Sequence, residues 1–336
     1  MEKRCGRGEV SLIPGLSLDP EDGIEAELVR ITSLFQQKKV QQQILDLLEQ
    51  AEECHLLVDY QRRLADIALC LDRMEISTDG KFPAVRFAME MVLLEFISGR
   101  KGVWFDSDFI MGRQAIPING LIWMGDEAYM QEQIEAKLAE GYGCLKMKIG
   151  AIDFKTECSL LEGIRKNFSR DSLVLRVDAN GAFSSSEAYD RLKTLSQFDL
   201  HSIEQPIKQQ QWKEMAKLCA ETPLDIALDE ELIGIEEAVQ VNLLESIKPQ
   251  YIILKPSLLG GFHLAGKWLE NAADKNISGW VTSALESNLG LNAIAQWVSL
   301  YNFSMEQGLG TGTLFTNNLE SDLYIDRGYL KCAVGA

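Results

Sequence analysis

The chain has 336 residues, 46% hydrophobic and 25% charged, enough for one large core and a smaller unit. Its 33 basic and 50 acidic residues give a formal charge of −17, which repels nucleic-acid phosphates and anionic membrane surfaces and argues against both as partners. The opening MEKRCGRGEV lacks a long apolar stretch, and the apolar run at 84–97 is broken by Arg86, Glu90 and Glu95, so neither a signal peptide nor a membrane span is predicted and the protein is read as cytoplasmic.

In chain order, residues 21–100 read as mostly helical, because apolar positions recur at three- and four-residue intervals in LVRITSLF, ILDLLEQAEE and FAMEMVLLEFI. Residues 99–112 carry three glycines and scattered charges, which predicts a loop and a domain boundary near Arg113. Strand-like runs follow at 116–124, 144–149, 173–179, 201–205, 224–230, 251–256, 278–283 and, weakly, 307–310. Between them lie amphipathic helical stretches with recognisable ends: Asp126 before one helix, Gly141 after it, and Ser184 or Ser185 before another. Seven cysteines are odd in number and never form Cys-x-x-Cys, which predicts reduced structural thiols.

Strand and helix alternating eight times predict an α/β fold, a closed TIM-type (β/α) barrel. The rival is a doubly wound open sheet, where ligands gather at one switch point. Five charged residues favour the barrel. Lys148, Asp178, Glu204, Asp229 and Lys255 stand 30, 26, 25 and 26 residues apart, one at the end of each of five successive strands, and a barrel brings those ends to one mouth. Three carboxylates in one small space need protons or a cation, and oxygen ligands alone predict a hard ion, Mg²⁺ or Mn²⁺. A rim of structural ion pairs is the alternative reading. Lys146 and Lys148, two residues apart on one strand, both face the interior, and neighbouring ammonium groups are expected to depress each other's pKa and make one a usable base. A cation with lysines on two sides suits removal of a proton next to a carboxylate.

In this order, KMK (146–148), VDANG (177–181), IEQP (203–206), LDE (228–230), ILKP (253–256) and TSALESNLGL (282–291) resemble the enolase superfamily and, within it, the o-succinylbenzoate synthases. The resemblance implies Asp178, Glu204 and Asp229 as metal ligands, Lys148 as the base, Lys255 as the cation on the opposite face and Lys146 as a tuning neighbour. It further implies Asn180, Ser283, Ser287 and the Gly308 backbone amide as contacts to a small carboxylate substrate. The implied reaction is syn-dehydration of 2-succinyl-6-hydroxy-2,4-cyclohexadiene-1-carboxylate in menaquinone biosynthesis. N-acylamino acid racemases, dipeptide epimerases and cycloisomerases share the scaffold and remain alternatives.

Against that family the domains are expected to be a capping domain at 1–113, the barrel at 114–312 and a segment at 313–336 that returns to the cap. The α+β cap is expected to lack its usual first strands, with GRGEVSLIPGLS (6–17) as its remaining strand. Such a cap implies weaker substrate closure or a non-catalytic binding protein, and an open edge that could pair in a homo-oligomer. His55, His201 and His263 have no metal-ligand spacing, and the tryptophans are expected to be core anchors, with Trp123 bordering the substrate.

Overall fold

The computed structural model describes residues 4–51, 54, 56–77 and 80–333, so His55 lies outside the described residues. Four helices come first: α1 (Ile24–Phe35), α2 (Lys38–Glu49), α3 (Leu57–Arg73) and α4 (Pro83–Ser98). The last is apolar nearly all round, and 13 of its 16 residues are buried, so it packs on two sides at once. Pro83 begins it without wasting a backbone donor, and Gly99 at φ 66° ends it. The Asp19 carboxylate accepts from Ala84 N (3.1 Å) and Val85 N (3.3 Å), capping the helix from 65 residues away.

The expected strand at 6–17 does not form. This stretch is irregular, ending in a turn where Leu16 N donates to Ile13 O (3.0 Å). Its path is set by Gly6 and Gly8, whose backbones lie so close to α4 that a Cβ would overlap Val92 O and Ala88 O. With its edge pressed on a helix, the segment has no strand partner among the described residues.

Beyond the loop at 99–115 come β1 (Ile116–Pro117), β2 (Gly120–Ile122), α5 (Glu127–Ala139), β3 (Cys144–Lys148), α6 (Phe154–Asn167), β4 (Val174–Asp178), α7 (Ala188–Leu195) and β5 (Ser202–Glu204). They are followed by α8 (Trp212–Glu221), β6 (Ile226–Leu228), α9 (Glu237–Ile247), β7 (Tyr251–Leu254), α10 (Pro256–Leu259), α11 (Phe262–Ala273), β8 (Ser278–Val281), α12 (Asn288–Val298), β9 (Leu323–Asp326) and β10 (Tyr329–Cys332). Strands β2 to β8 form a curled parallel sheet in sequence order. Residues 307–308 bridge its two edges: Asn119 N donates to Gln307 O (3.0 Å), Gly308 N to Val281 O (2.8 Å) and Ser283 N to Gly308 O (3.0 Å). The weak eighth strand is thus a two-residue seam.

The run at 116–124, expected as one strand, divides. Residues 116–117 pair antiparallel with β10, and only residues 120–122 enter the parallel sheet. Pro117 has no N–H to donate to a ladder, and it marks the division. Asp126 caps α5 as expected, accepting from Tyr129 N (2.9 Å), and Gly141 follows at φ 81°. Ser184 and Ser185 do not cap α7, which starts at Ala188 after a turn and has no side-chain cap.

Register places the charged residues in layers. Lys148 lies opposite Asp178, and Asp178 opposite Glu204; one step below, Lys146 lies opposite Arg176 and Arg176 opposite Ser202. Met147, between the two lysines, points outward into the main core. The barrel floor is a separate small cluster of Ala227, Ile253 and Trp280, with the Arg176 guanidinium 4.1 Å over the Trp280 ring. His201 stacks on Tyr251 at 4.8 Å, and burial pushes its imidazole down to about 4, so it serves packing.

The helical unit and the barrel meet where α4 packs on α10. There Glu90, wholly buried, accepts from Phe262 N (2.6 Å) and His263 N (3.2 Å) at the start of α11. Burial raises its carboxyl to about 7 although Arg86 and these amides oppose the shift.

Candidate active site

The strand ends open into a cavity of about 250 Å³. Lys146, Lys148, Asn180 and Lys255 line its charged side; Leu121, Trp123, Met124, Leu285, Ile13 and Leu16 line its apolar side; Asn119, Thr282, Ser283, Gly308, Gly310 and Thr311 complete it. Ile13 and Leu16 come from the irregular N-terminal turn, which Ile13 N closes by donating to Ser17 Oγ (2.8 Å). Trp123 borders the cavity as expected.

Beneath the cavity the charges interlock. Lys148 Nζ donates to Asp178 Oδ2 (2.6 Å) and Asn180 Oδ1 (2.7 Å). Lys146 Nζ pairs with the same Asp178 oxygen (2.9 Å) and with Glu204, and Lys255 Nζ with Asp229. Mutual depression of the two lysines is not what this cluster produces at Lys146. Burial lowers its tendency to hold a proton, but Asp178, Glu204 and Asp229 outweigh burial and raise its pKa. Lys255 is likewise raised against burial, by Asp229 and Glu204. Asp178 is buried too, yet Lys146 and Lys148 hold its carboxyl below the usual range. Glu204 goes the other way: burial, then the neighbouring Asp178, pushes it well up.

Among the described residues no three His, Cys, Asp or Glu side chains are grouped as a ready cage, because the carboxylates are turned onto lysine ammonium groups. The donor set still fits a hard cation. Glu204 Oε1 is buried without a hydrogen-bond partner among the described residues, beside the carboxylates of Asp178 and Asp229, and no sulfur or imidazole ligand belongs to the set. Asp178, Glu204 and Asp229 are the residues that would hold it.

Two neighbours escape a reading of the sequence by spacing. Glu230, next to Asp229, accepts from Asn180 Nδ2 (2.8 Å), and burial followed by Asp229 raises it to about 7. Gln205 Oε1 accepts from Asp229 N and Glu231 N (both 3.2 Å), fixing how the chain leaves β6. Their signal was present in the IEQP and LDE motifs, but nothing in periodicity separates them from solvated loop residues. Asn180 and Gln205 both take positive φ, 44° and 38°, as strand-exit residues under constraint.

Two expected substrate contacts are placed differently. Gly308 lines the cavity, but its N–H is used on Val281 O in the seam; glycine is required there because a Cβ would overlap Thr282 Oγ1. Ser287 does not line the cavity. It caps α12, accepting from Leu289 N (3.2 Å), and donates from Oγ to Glu9 Oε2 (2.6 Å). Ser283 does line it, and is buried.

A family profile described as "Enolase C-terminal domain-like" matches residues 129–333, more than half of the chain. The chain belongs to the enolase superfamily. It is 61% identical over 325 residues to an o-succinylbenzoate synthase of Desulfotalea psychrophila, covering 97% of this chain and 88% of that one. The crystal structure of MenC from Desulfotalea psychrophila LSv54 superposes with a TM-score of 0.90 at 58% identity, covering 98% of this chain and 92% of that one. An L-Ala-D/L-Glu epimerase from Bacillus subtilis shares the fold, with a TM-score of 0.73 at 20% identity over 97% of this chain and 84% of that one. Among the described residues no helix is long and apolar enough to cross a membrane.

Proposed function

We propose that the chain is an o-succinylbenzoate synthase, a hydro-lyase of menaquinone biosynthesis that works in the cytoplasm with Mg²⁺ or Mn²⁺ on Asp178, Glu204 and Asp229. The observation that carries the reading is the placement of two lysines across one cavity. Lys148 ends β3 and Lys255 follows β7, four strands on in a barrel closed at residues 307–308, so they face each other over the carboxylates. The 61% identity to a synthase supports the choice of substrate.

The substrate is 2-succinyl-6-hydroxy-2,4-cyclohexadiene-1-carboxylate. A bound divalent cation would supply charge neutralisation for the carboxylate of the enediolate. Lys148, once it has shed its own proton, removes the proton alpha to the ring carboxylate, leaving the electron pair in the enediolate. Lys255, a buried ammonium, faces that charge from the opposite side and holds it. Collapse of the enediolate expels the 6-hydroxyl, Lys148 returns its proton to the leaving oxygen as water, and the ring becomes aromatic. Asn180 orients Lys148 through its Oδ1 and is itself fixed by Glu230.

Loss of the diene substrate's absorbance in the presence of Mg²⁺ is the test. Turnover that disappears in Lys148→Ala supports the reading, and a folded, metal-binding protein that leaves the absorbance unchanged would falsify it. Two facing lysines also suit proton transfer from one face to the other. Racemisation of an N-succinyl amino acid without dehydration would assign the site to that reaction instead.

A further inference from the structure

A further buried carboxylate lies at this mouth, outside the proton-transfer machinery. Glu286 is wholly buried, five residues beyond β8. Its Oε1 accepts from Ser257 Oγ (2.5 Å), and its Oε2 accepts from Ser283 Oγ (2.7 Å) and Ala284 N (2.7 Å). Among the described residues no lysine or arginine forms an ion pair with it, so neutral donors alone hold it. Such an arrangement is costly unless the geometry it imposes is needed.

That geometry reaches the cavity. A serine hydroxyl has one proton and two lone pairs. The Ser283 proton goes to Glu286, and its oxygen accepts from Thr311 Oγ1 (2.8 Å) and Leu285 N (3.1 Å), so its capacity is full. Leu285 is bent into the left-handed region at φ 62°, a conformation that a non-glycine residue adopts only under constraint. Ser283, Leu285 and Thr311 all line the cavity. Ser257, two residues past Lys255, is anchored to the other oxygen of the same carboxylate.

We propose that Glu286 is a positioning residue for the substrate: through Ser257 and Ser283 it joins the exit of β7 to the exit of β8, and so holds the wall made by Ser283, Leu285 and Thr311 at a fixed place against Lys255. It acts on where the substrate lies, not on proton transfer. The inference rests on the reading of this cavity as the active site.

The experiment uses the full chain with Mg²⁺. Glu286→Gln keeps the shape, but its amide must donate, so one of the two serines has to turn its hydroxyl round. The expected result is a KM raised by about 10-fold, the equivalent of one hydrogen bond, with kcat within about 3-fold and metal affinity unchanged. Ser283→Ala should raise KM comparably, and adding Glu286→Gln to it should change KM by less than about 2-fold, because the two act as one unit. Ser257→Ala, at a residue outside the cavity lining, should raise KM in the same direction and keeps the test open if Glu286→Gln does not fold. An unchanged KM in the folded variants, a fall confined to kcat, or additivity with Ser283→Ala overturns the proposal. If the wild-type chain does not dehydrate the diene, the functional reading fails by itself. The same variants are then measured for binding of 2-succinylbenzoate by calorimetry, where the same ratios are expected and equal affinities overturn the inference.

Discussion

The two halves of the barrel mouth are built on different physics. From β3 to β6, buried carboxylates are balanced by lysine ammonium groups of neighbouring strands: Lys148 and its register partner Asp178 at 2.6 Å, and Lys146, one layer below, with Asp178 at 2.9 Å. Beyond β8 the carboxylates meet hydroxyls and backbone amides instead, with buried Glu286 on Ser257 and Ser283, and half-buried Glu9 on Ser287 and Gly290. The first half concentrates charge that a reaction can use. The second spends hydrogen bonds on shape, and draws its parts from as far as residue 9. Charge chemistry and substrate placement are therefore separable here, and variants in the two halves should fail in different ways.

The largest effect is expected in the charged half. Lys148→Ala should lower kcat by about 10³-fold or more, the upper range for a general base, while calorimetry still detects Mg²⁺ binding. Substantial residual turnover would move the base elsewhere. Asp229→Asn should instead weaken Mg²⁺ itself by about 100-fold or more, since even outer-shell partners of a metal cost 10- to 100-fold; unchanged metal affinity would remove Asp229 from the ligand set.

A third variant tests the joint between the helical unit and the barrel. Glu90 has a folded-state pKa of about 7 against an ordinary 4.5, so its contribution to stability is complete below pH 4.5 and is lost as pH rises through 7. Glu90→Gln carries no such proton. The variant should gain on the wild type by about 3 kcal/mol in relative stability between pH 4.5 and 8, seen as a Tm difference that shifts in its favour as pH rises. A difference independent of pH would mean that Glu90 titrates normally. The smallest effect belongs to Glu9, which accepts from Ser287 N (2.6 Å), Ser287 Oγ (2.6 Å) and Gly290 N (2.8 Å) at the start of α12. Glu9→Ala should cost about 1 kcal/mol in thermal or denaturant melts, the usual value of a helix cap, with kcat near that of the wild type. A large loss of kcat would show that the two halves are not separable.

Legibility in the sequence followed the same division. Lys148, Asp178, Glu204, Asp229 and Lys255 could be read because strands recur at a nearly constant interval, and each repeat delivers one residue to the same end of the barrel. The seam at 307–308 was visible only as a weak strand, since two residues cannot show a period. Ser287 looked like a substrate contact in TSALESNLGL, but Glu9 takes its hydroxyl and turns it into a helix cap. The segment at 6–17 was expected as a strand from its resemblance to the family's cap, and a resemblance does not reveal that its neighbour here is a helix.

The sequence by itself determined the barrel, the layer of five charged residues at its mouth and the class of proton chemistry, because these depend on local periodicity and residue type. Tertiary structure alone decided which oxygen each lysine grips, that Gly308 closes the seam with its amide, and that Glu286 and Glu9 hold the loop after β8. Those outcomes depend on contacts between segments tens to hundreds of residues apart, and no local pattern encodes where two distant segments meet.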